Sequence, residues 1–270
     1  MIKKLPWFIL CAASVLLFGC TVKQNIAQPD PQPAIAQPTV SLSGTQSSTA
    51  YNMPRFQSIS IAGPYVLNYQ TNSNTYLNPT GLAAVSVAGD SRIVDHTQVL
   101  VKNDTLFVFL NPDYQCDPSA GRATVTVQTT APLRRAFFGG NTSANLQNIY
   151  GDRLSVLVEG SAYVALSGQV NRLDATAIDN SRLNAKCLVS QAAFVNTTDT
   201  AQAEILGGPG ISGLAAKQSD IYYYTNPQMI APYQRQSGSV MSMVGVAPAS
   251  ISIMNEDTGI PADSTDFGIK

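Results

Sequence analysis

A single histidine, His96, is all the imidazole the chain contains. A nucleophile activated by a histidine base needs that base beside a reactive serine or cysteine, and a Cys/His zinc site needs several ligands together. His96 instead follows Asp95 in a polar stretch and reads as a surface or strand-edge residue. No Gly-x-Ser-x-Gly elbow occurs. Gly207-Gly208-Pro209-Gly210 lacks the Lys-Ser/Thr ending and the following helix of a phosphate loop, so it reads as a connecting loop. No catalytic set, metal site or cofactor is expected. Charge is also scarce, at 12% of residues, and the formal net charge of −1 falls to about −3 without Lys3 and Lys4. Nucleic-acid binding rewards clustered Lys and Arg, so that class is set aside. Beyond residue 20 no stretch sustains the 3.6-residue apolar period for three turns, which makes helix a minor component.

A long apolar run is missing too. Leu5 to Phe18 is fourteen residues, broken by Pro6 and Ser14, whereas a membrane-spanning helix needs roughly 20. Behind Met1-Ile2-Lys3-Lys4 this run fits the apolar part of a secretory signal. It ends in Leu17-Phe18-Gly19-Cys20, which resembles the lipobox of bacterial lipoproteins, with Phe18 where a smaller residue is usual. The resemblance implies cleavage after residue 19, diacylglycerol on the Cys20 thiol and membrane attachment through acyl chains. Thr21 stands where an inner-membrane retention signal would place Asp, which implies an outer-membrane destination. Cys11 leaves with the signal, so Cys116 and Cys187 remain. The periplasm permits a disulfide between them; the plainer reading is two buried thiols. Residues 20–50 carry Pro29, Pro31, Pro33 and Pro38 among Gln, Ser, Thr and Ala. Such a segment buries too little to offset its conformational entropy and reads as a disordered tether.

What is present, from Tyr51 onward, is short Val/Ile/Leu/Phe/Tyr runs punctuated by Gly, Asn, Asp, Ser and Pro. Phe56 to Ile61 alternates apolar and polar, as a half-buried strand does. Val99 to Leu110 reads as a hairpin turning at Lys102-Asn103-Asp104, and Ala123 to Val127 as another strand. A turn pair then recurs: Asn141-Thr142, Gly160-Ser161, Asn180-Ser181, Asp199-Thr200 and Gln218-Ser219. Their hydroxyl residues are 19, 20, 19 and 19 positions apart. A fixed period of that length marks a solenoid. The expected fold is all-β: a right-handed parallel β-helix over residues 51–243, with rungs of 19–20 residues and amino-terminal strands as a cap. Residues 244–270 form a partly disordered tail. In such a coil the hydroxyls stack in one column, and Leu154, Val156, Val158, Leu173, Ala175, Ala177, Ala201, Ala203 and Ile205 supply a narrow core.

The order of these motifs resembles the family of auto-transporter adhesin head-GIN domains. Phe56 to Pro64 is similar to its opening strand and Gly-Pro, and Val101 to Leu106 to its hairpin. Val158 to Val164 resembles its repeated small-Gly-small unit. Tyr222-Tyr223-Tyr224-Thr225-Asn226-Pro227 resembles its closing segment, with Thr225 in place of Gly, and Ser237-Gly238-Ser239 follows as in the family. Residues 56–243 are covered. The rungs at Asn180 and Asp199 depart by lacking Gly, which bears on their corner geometry. The resemblance implies a secreted β-helical adhesion scaffold and carries over no catalytic residue.

Two sets of side chains are candidates for binding. Tyr222 and Tyr224 share one strand face, opposite Tyr223, and either stack on a ligand or cap the end of the coil. Glu159 and Asp179, read as equivalent positions on adjacent rungs with Asp199 one position off, form a carboxylate pair near Arg182 and Lys186. The expected function is a non-enzymatic envelope scaffold for adhesion or for binding a glycan or protein. The alternative is a lyase or glycosidase using corner carboxylates, which must lie about 5–10 Å apart.

Overall fold

A computed structural model gives the fold and describes residues 39–40, 45–72, 82–116 and 121–245. The residues read as a signal, Cys20 and the residues beyond Gly245 lie outside the described residues. In chain order the strands are β1 (Thr39–Val40), β2 (Gln46–Met53), β3 (Ser58–Ala62), β4 (Tyr65–Thr71) and β5 (Ala83–Asp90). After the one helix among the described residues, α1 (Ser91–His96), come β6 (Thr97–Lys102), β7 (Thr105–Leu110), β8 (Gln115–Cys116), β9 (Ala123–Thr129) and β10 (Arg135–Gly139). The long strands β11 (Ser143–Val158), β12 (Tyr163–Ala177) and β13 (Arg182–Thr197) follow. The last are β14 (Gln202–Ile205), β15 (Gly210–Lys217), β16 (Asp220–Tyr223), β17 (Met229–Gln236) and β18 (Ser239–Ser242).

These strands wind into a β-solenoid of about five turns. Each turn supplies one segment to each of two parallel sheets. The first sheet runs through β9, β4, the first half of β11, β12 and β13, then β14, β16 and β18. The second runs through β7, β3, β10, the second half of β11, β12 and β13, then β15 and β17. Strand period two sends alternate residues into the space between the sheets. There Ala203 lies between Leu183 and Ile221, and Ala175 between Val156 and Val195. An alanine on one rung is thus flanked by larger residues on the next, which fills the interior without strain. Leu154, Val156 and Val158 align with Leu173, Ala175 and Ala177 as expected. Ala201, Ala203 and Ile205 do not continue that column; Ala203 and Ile205 stand level with Leu183 and Ala185 in the opposite sheet.

The repeat's period holds while its register differs from the sequence reading. Tyr163 donates its N–H to Thr142, Arg182 to Ala162, Gln202 to Ser181, Asp220 to Ala201 and Ser239 to Ser219. Thr142, Ser181 and Ser219 therefore share one column with Ala162 and Ala201 between them. Ser161 and Thr200 occupy the adjacent column with Asn141, Asn180 and Gln218. All the hydroxyls sit at one corner, but they alternate between two neighbouring positions. The inner ones are buried: Thr142 Oγ1 donates to Gly139 O at 2.7 Å, Ser181 Oγ to Val158 O at 3.0 Å, and Ser219 Oγ to Ala216 O at 2.7 Å. Each adds a second bond to a carbonyl that already accepts a backbone N–H, using its other lone pair.

Just before these positions runs a column of left-handed residues: Gly140 (φ 67), Gly160 (71), Asp179 (61), Asp199 (65), Lys217 (60) and Gln236 (58). The corners lacking Gly keep the same conformation; aspartate enters it more readily than most L-residues. The backbone ladder passes straight through, with Asn180 N–H on Gly160 O (3.0 Å) and Thr200 N–H on Asp179 O (2.9 Å).

Toward the amino-terminal end, chain order and spatial order part. The β3–Gly63-Pro64–β4 unit is itself a rung, stacked on β10 and β11. β7 and β9 stack on its other side. Antiparallel β6 then pairs with β7, β5 with β9, and β2 with β5. The β6–β7 hairpin turns at Asn103 (φ 49) and Asp104 (φ 60), the two positive φ values of a type I′ turn. α1, capped by Asp90 Oδ1 on Arg92 N–H (3.0 Å), buries Ile93 and Val94. Ordered structure begins earlier than composition implied, since β2 takes Gln46 to Ala50 from the segment read as tether. An antiparallel edge partner forms through backbone bonds and tolerates the polar composition.

Where like charges stack, the coil supplies a counter-ion. Arg153 lies level with Arg172 on the next rung. Asp174 joins both, at 2.5 Å to Arg153 Nε and 2.8 Å to an Arg172 terminal nitrogen. Partial burial pushes the Asp174 pKa up, but the hydrogen bonds and charges of the two arginines outweigh it and hold the carboxyl below its usual range. A depressed carboxyl pKa stabilises the fold above the unfolded-state value of about 3.9, and that contribution is lost as pH falls through the folded-state value. The melting-temperature difference between wild type and Asp174→Asn is therefore greatest near neutral pH and vanishes in strong acid, as a thermal-melt pH series will show.

Two glycines provide a sharper check. An added Cβ at Gly160 (φ 71) meets the Gly140 backbone nitrogen and oxygen at 3.1 Å. One at Gly168 (φ 133) meets Ile149 O at 2.1 Å and Ile149 N at 2.6 Å, where the rung below bulges. Gly160→Ala is expected to lose about 1–2 kcal/mol, the cost of a left-handed L-residue. Gly168→Ala should lose more, because a backbone overlap is added. Chemical denaturation of both variants measures the order.

Candidate functional site

The parallel register lines up outward side chains of the first sheet. Arg182, Gln202, Asp220 and Ser239 form one column, and Asn184, Glu204, Tyr222 and Met241 the next. Tyr163 precedes Arg182 in the first of these. Four successive rungs thus bring Tyr163, Asn184, Lys186, Glu204, Tyr222 and Tyr224 onto one face.

Their side-chain bonds form three neighbouring groups. Lys186 Nζ lies 2.9 Å from Glu204 Oε2, and Tyr224 Oη donates to Glu204 Oε1 at 3.0 Å. The Lys186 ammonium sits 5.4 Å from the Tyr224 ring centre, within reach of a cation–π contact. Tyr222 Oη donates to Asp220 Oδ2 at 3.2 Å, and Asn184 Nδ2 to Tyr163 Oη at 3.3 Å. Burial, then the Glu204 hydrogen bond, raises the Tyr224 pKa, and burial followed by the Asp220 charge raises that of Tyr222. Both phenols stay protonated donors. Burial alone would lower the Lys186 pKa, yet its bond and charge interaction with Glu204 win and raise it. Lys186 therefore stays charged. Both Glu204 oxygens are engaged, so the carboxylate is a fixed acceptor. Tyr163, 38% exposed, is the most open of the three rings.

Tyr222 and Tyr224 thus face outward while Tyr223 packs against the core. Neither outward tyrosine covers the end of the coil, because β18 stacks beyond β16. The expected carboxylate pair does not form. Val158 is level with Ala177, so Glu159 stands opposite Ile178, and Asp179 opposite Gly160. It is Asp179 and Asp199 that share a column. Asp179 Oδ2 accepts the Gly160 N–H at 3.0 Å and Asp199 pairs with Lys217, so both carboxylates serve the corner. The one-residue register shift between the hydroxyl columns accounts for the misplacement.

Tyr163, Asn184 and Glu204 are the members the sequence did not single out, and Lys186 entered only as a neighbour of Glu159 and Asp179. They become visible once rungs are aligned on the left-handed residue instead of on the hydroxyl. Cys187 also differs from expectation: it is a free thiol on the surface, placed outward by the irregular register near Ser167. The Cys116 side chain lies outside the described residues. His96 ends α1 and stacks on Tyr114 at 3.7 Å between ring centres, a packing role at the edge of β6. Gly207 to Pro209 joins β14 to β15 as a loop. Among the described residues no three His, Cys, Asp or Glu side chains gather as a metal cage.

The outer surface of the second sheet carries a shallow groove of about 600 Å³. Phe137, Leu157 and Phe194 line it, with Arg135 and Asp174 among its polar members. The Arg172 guanidinium covers the Phe194 ring at 4.1 Å.

The fold has solved counterparts. A putative adhesin from Bacteroides fragilis superposes with a TM-score of 0.61 at 16% identity, over 76% of this chain and 100% of that one. A putative adhesin from Parabacteroides merdae is similar over 76% and 99% of the two chains, at 13% identity and a TM-score of 0.49. At such identities the first likeness speaks for the fold alone. No curated protein matches the chain. Residues 55–227 match the family model described as "Putative auto-transporter adhesin, head GIN domain". That span is more than half of the chain and takes in both sheets of the coil, and the protein belongs to this family.

Proposed function

We propose that the protein is a lipid-anchored scaffold of the bacterial outer membrane that binds a glycan through the tyrosine face of its solenoid. The observation that carries this reading is the convergence of Tyr163, Tyr222 and Tyr224 with Lys186, Glu204 and Asn184 on one flat sheet surface. A pyranose ring presents an apolar C–H face rimmed by hydroxyls. Aromatic rings meet the first, and fixed donors and acceptors meet the second. Each of these side chains already holds a hydrogen-bond or ion-pair partner, so less rotamer entropy remains to be lost on binding. Family membership supports an adhesive role in the envelope. The lipobox-like Leu17 to Cys20, with a segment rich in proline before β2, supports tethering through Cys20.

The chemistry argues for binding without turnover. Glu159 and Asp179 are not stacked, and Glu204 is held by both a lysine and a phenol, so the carboxylates named here show no free acid/base pair. A protein ligand is the other class this surface suits; glycan is favoured because the rings share one face with side-chain donors and acceptors already fixed by their own bonds.

A glycan array probed with soluble protein lacking residues 1–20 tests the reading. Tyr222→Ser together with Tyr224→Ser should weaken binding to the glycans recognised by at least about tenfold, or ~1.4 kcal/mol, with the melting temperature nearly unchanged. A large loss of stability would return these tyrosines to a structural role. The anchor is tested separately: metabolic palmitate should label the wild-type chain and leave Cys20→Ser unlabelled. Label persisting on the variant would move the attachment site elsewhere.

A further inference from the structure

The two ends of the coil are finished differently. At the amino-terminal end β6, β5 and β2 run antiparallel over the last parallel rung and α1 packs against them. At the other end β17 and β18 are the final strands of the described residues. Ile230 continues the inward column of Ile211, yet it is 41% exposed where Ile211 is 4% exposed. Met229, Tyr233, Met241 and Val244 are exposed around it. Arg235 is the one charge between residues 229 and 245, so the edge lacks the charged side chains that usually guard a free strand.

The backbone shows which strand is open. Ser239 donates its N–H to Ser219 and Met243 donates to Tyr223. Strand alternation therefore turns the amides of Val240 and Ser242 to the open side. In β17, Met229 donates back to Pro209, so position 232 faces outward, and Pro232 has no N–H to offer. A proline there blunts β17 as a template. β18 has no such block.

We propose that β18 pairs antiparallel with β18 of a second copy, about a twofold axis through Met241. Like ends match best, because the amino-terminal edge strands are the polar β2 and β6 with its Lys102, whereas β18 carries no charge. An isologous contact closes at two copies and cannot grow into a filament. Centring on Met241 is fixed by the two free amides, since it sets Val240 of one copy opposite Ser242 of the other and lets each bond across. Met241 then faces its own counterpart in a non-hydrogen-bonded pair, with Cα atoms about 4.5 Å apart. That separation lies within disulfide range.

The test uses the full chain in cells, carrying Cys187→Ser as the parent. Adding Met241→Cys and a mild oxidant should double the apparent mass on a non-reducing gel, reversibly with reductant. The parent, and the parent with Tyr233→Cys on the blocked strand, should remain single. Adding Ser242→Pro to Met241→Cys removes one open-edge donor and should abolish the cross-link, with an unchanged melting temperature because that amide serves no bond within the chain. A monomeric Met241→Cys, equal cross-linking from position 233, or cross-linking that survives Ser242→Pro would each overturn the proposal. So would a chain ending at Gly245 that pairs when the full chain does not, which would assign the edge to residues 246–270.

Discussion

The backbone ladder between rungs must survive the corner, and the rest of the molecule follows from that demand. Parallel strands hold register only if each turn delivers the chain to the next rung in the same orientation. Here one left-handed residue per coil does this at Gly140, Gly160, Asp179, Asp199, Lys217 and Gln236. The N–H one residue after each finds the carbonyl one coil below without interruption, as Asn180 does on Gly160, Thr200 on Asp179 and Gln218 on Asp199. The residue two places beyond the left-handed one must be small, because it points into the narrow end of the core: Thr142, Ala162, Ser181, Ala201, Ser219 and Gly238 fill it. The hydroxyls among them bond buried carbonyls, and the alanines avoid the question.

Stacking at ~4.8 Å also disciplines the surface. Identical charges in one column repel at every rung, so a solenoid carries charge sparingly or pairs it across rungs, as Asp174 does for Arg153 and Arg172 and Glu204 for Lys186. The same register turns single outward residues into arrays. Residues about twenty apart in the chain become neighbours, so the tyrosine face assembles from four rungs with no loop to build it. A flat array suits an extended ligand better than a small molecule, which needs enclosure.

Much of this was legible in the sequence. The Asn103-Asp104 turn, the Gly63-Pro64 break and the alternation in Phe56 to Ile61 are local signals, and the structure realises each locally. The repeat length was legible because it is counted, not aligned. Register was not, since hydroxyl residues serve two adjacent corner positions and a count from one hydroxyl to the next mixes them. That one-position shift stacked Glu159 on Asp179 and hid the pairing of Lys186 with Glu204. It left Tyr222 and Tyr224 unaffected, because strand alternation alone sets their direction. The pairing of β2 was invisible for a different reason: an edge strand held mainly by backbone bonds needs little from its side chains.

The order of the amino-terminal rungs adds a constraint on assembly. The β3–β4 rung comes early in the chain but lies between the β7/β9 rung and the β10/β11 rung, both made later. Its inward residues, Ile59, Ile61, Leu67 and Tyr69, are buried only when both neighbours are in place. Those contacts close loops of about forty to eighty residues, whereas each later coil closes on the one roughly twenty residues before it. Loop closure makes distant pairing slow, so the regular coils from β11 to β16 are the natural nucleus. The capped end is then a seal fitted onto an existing coil, which explains why it uses antiparallel strands: they need only one finished edge, not the next turn of the helix.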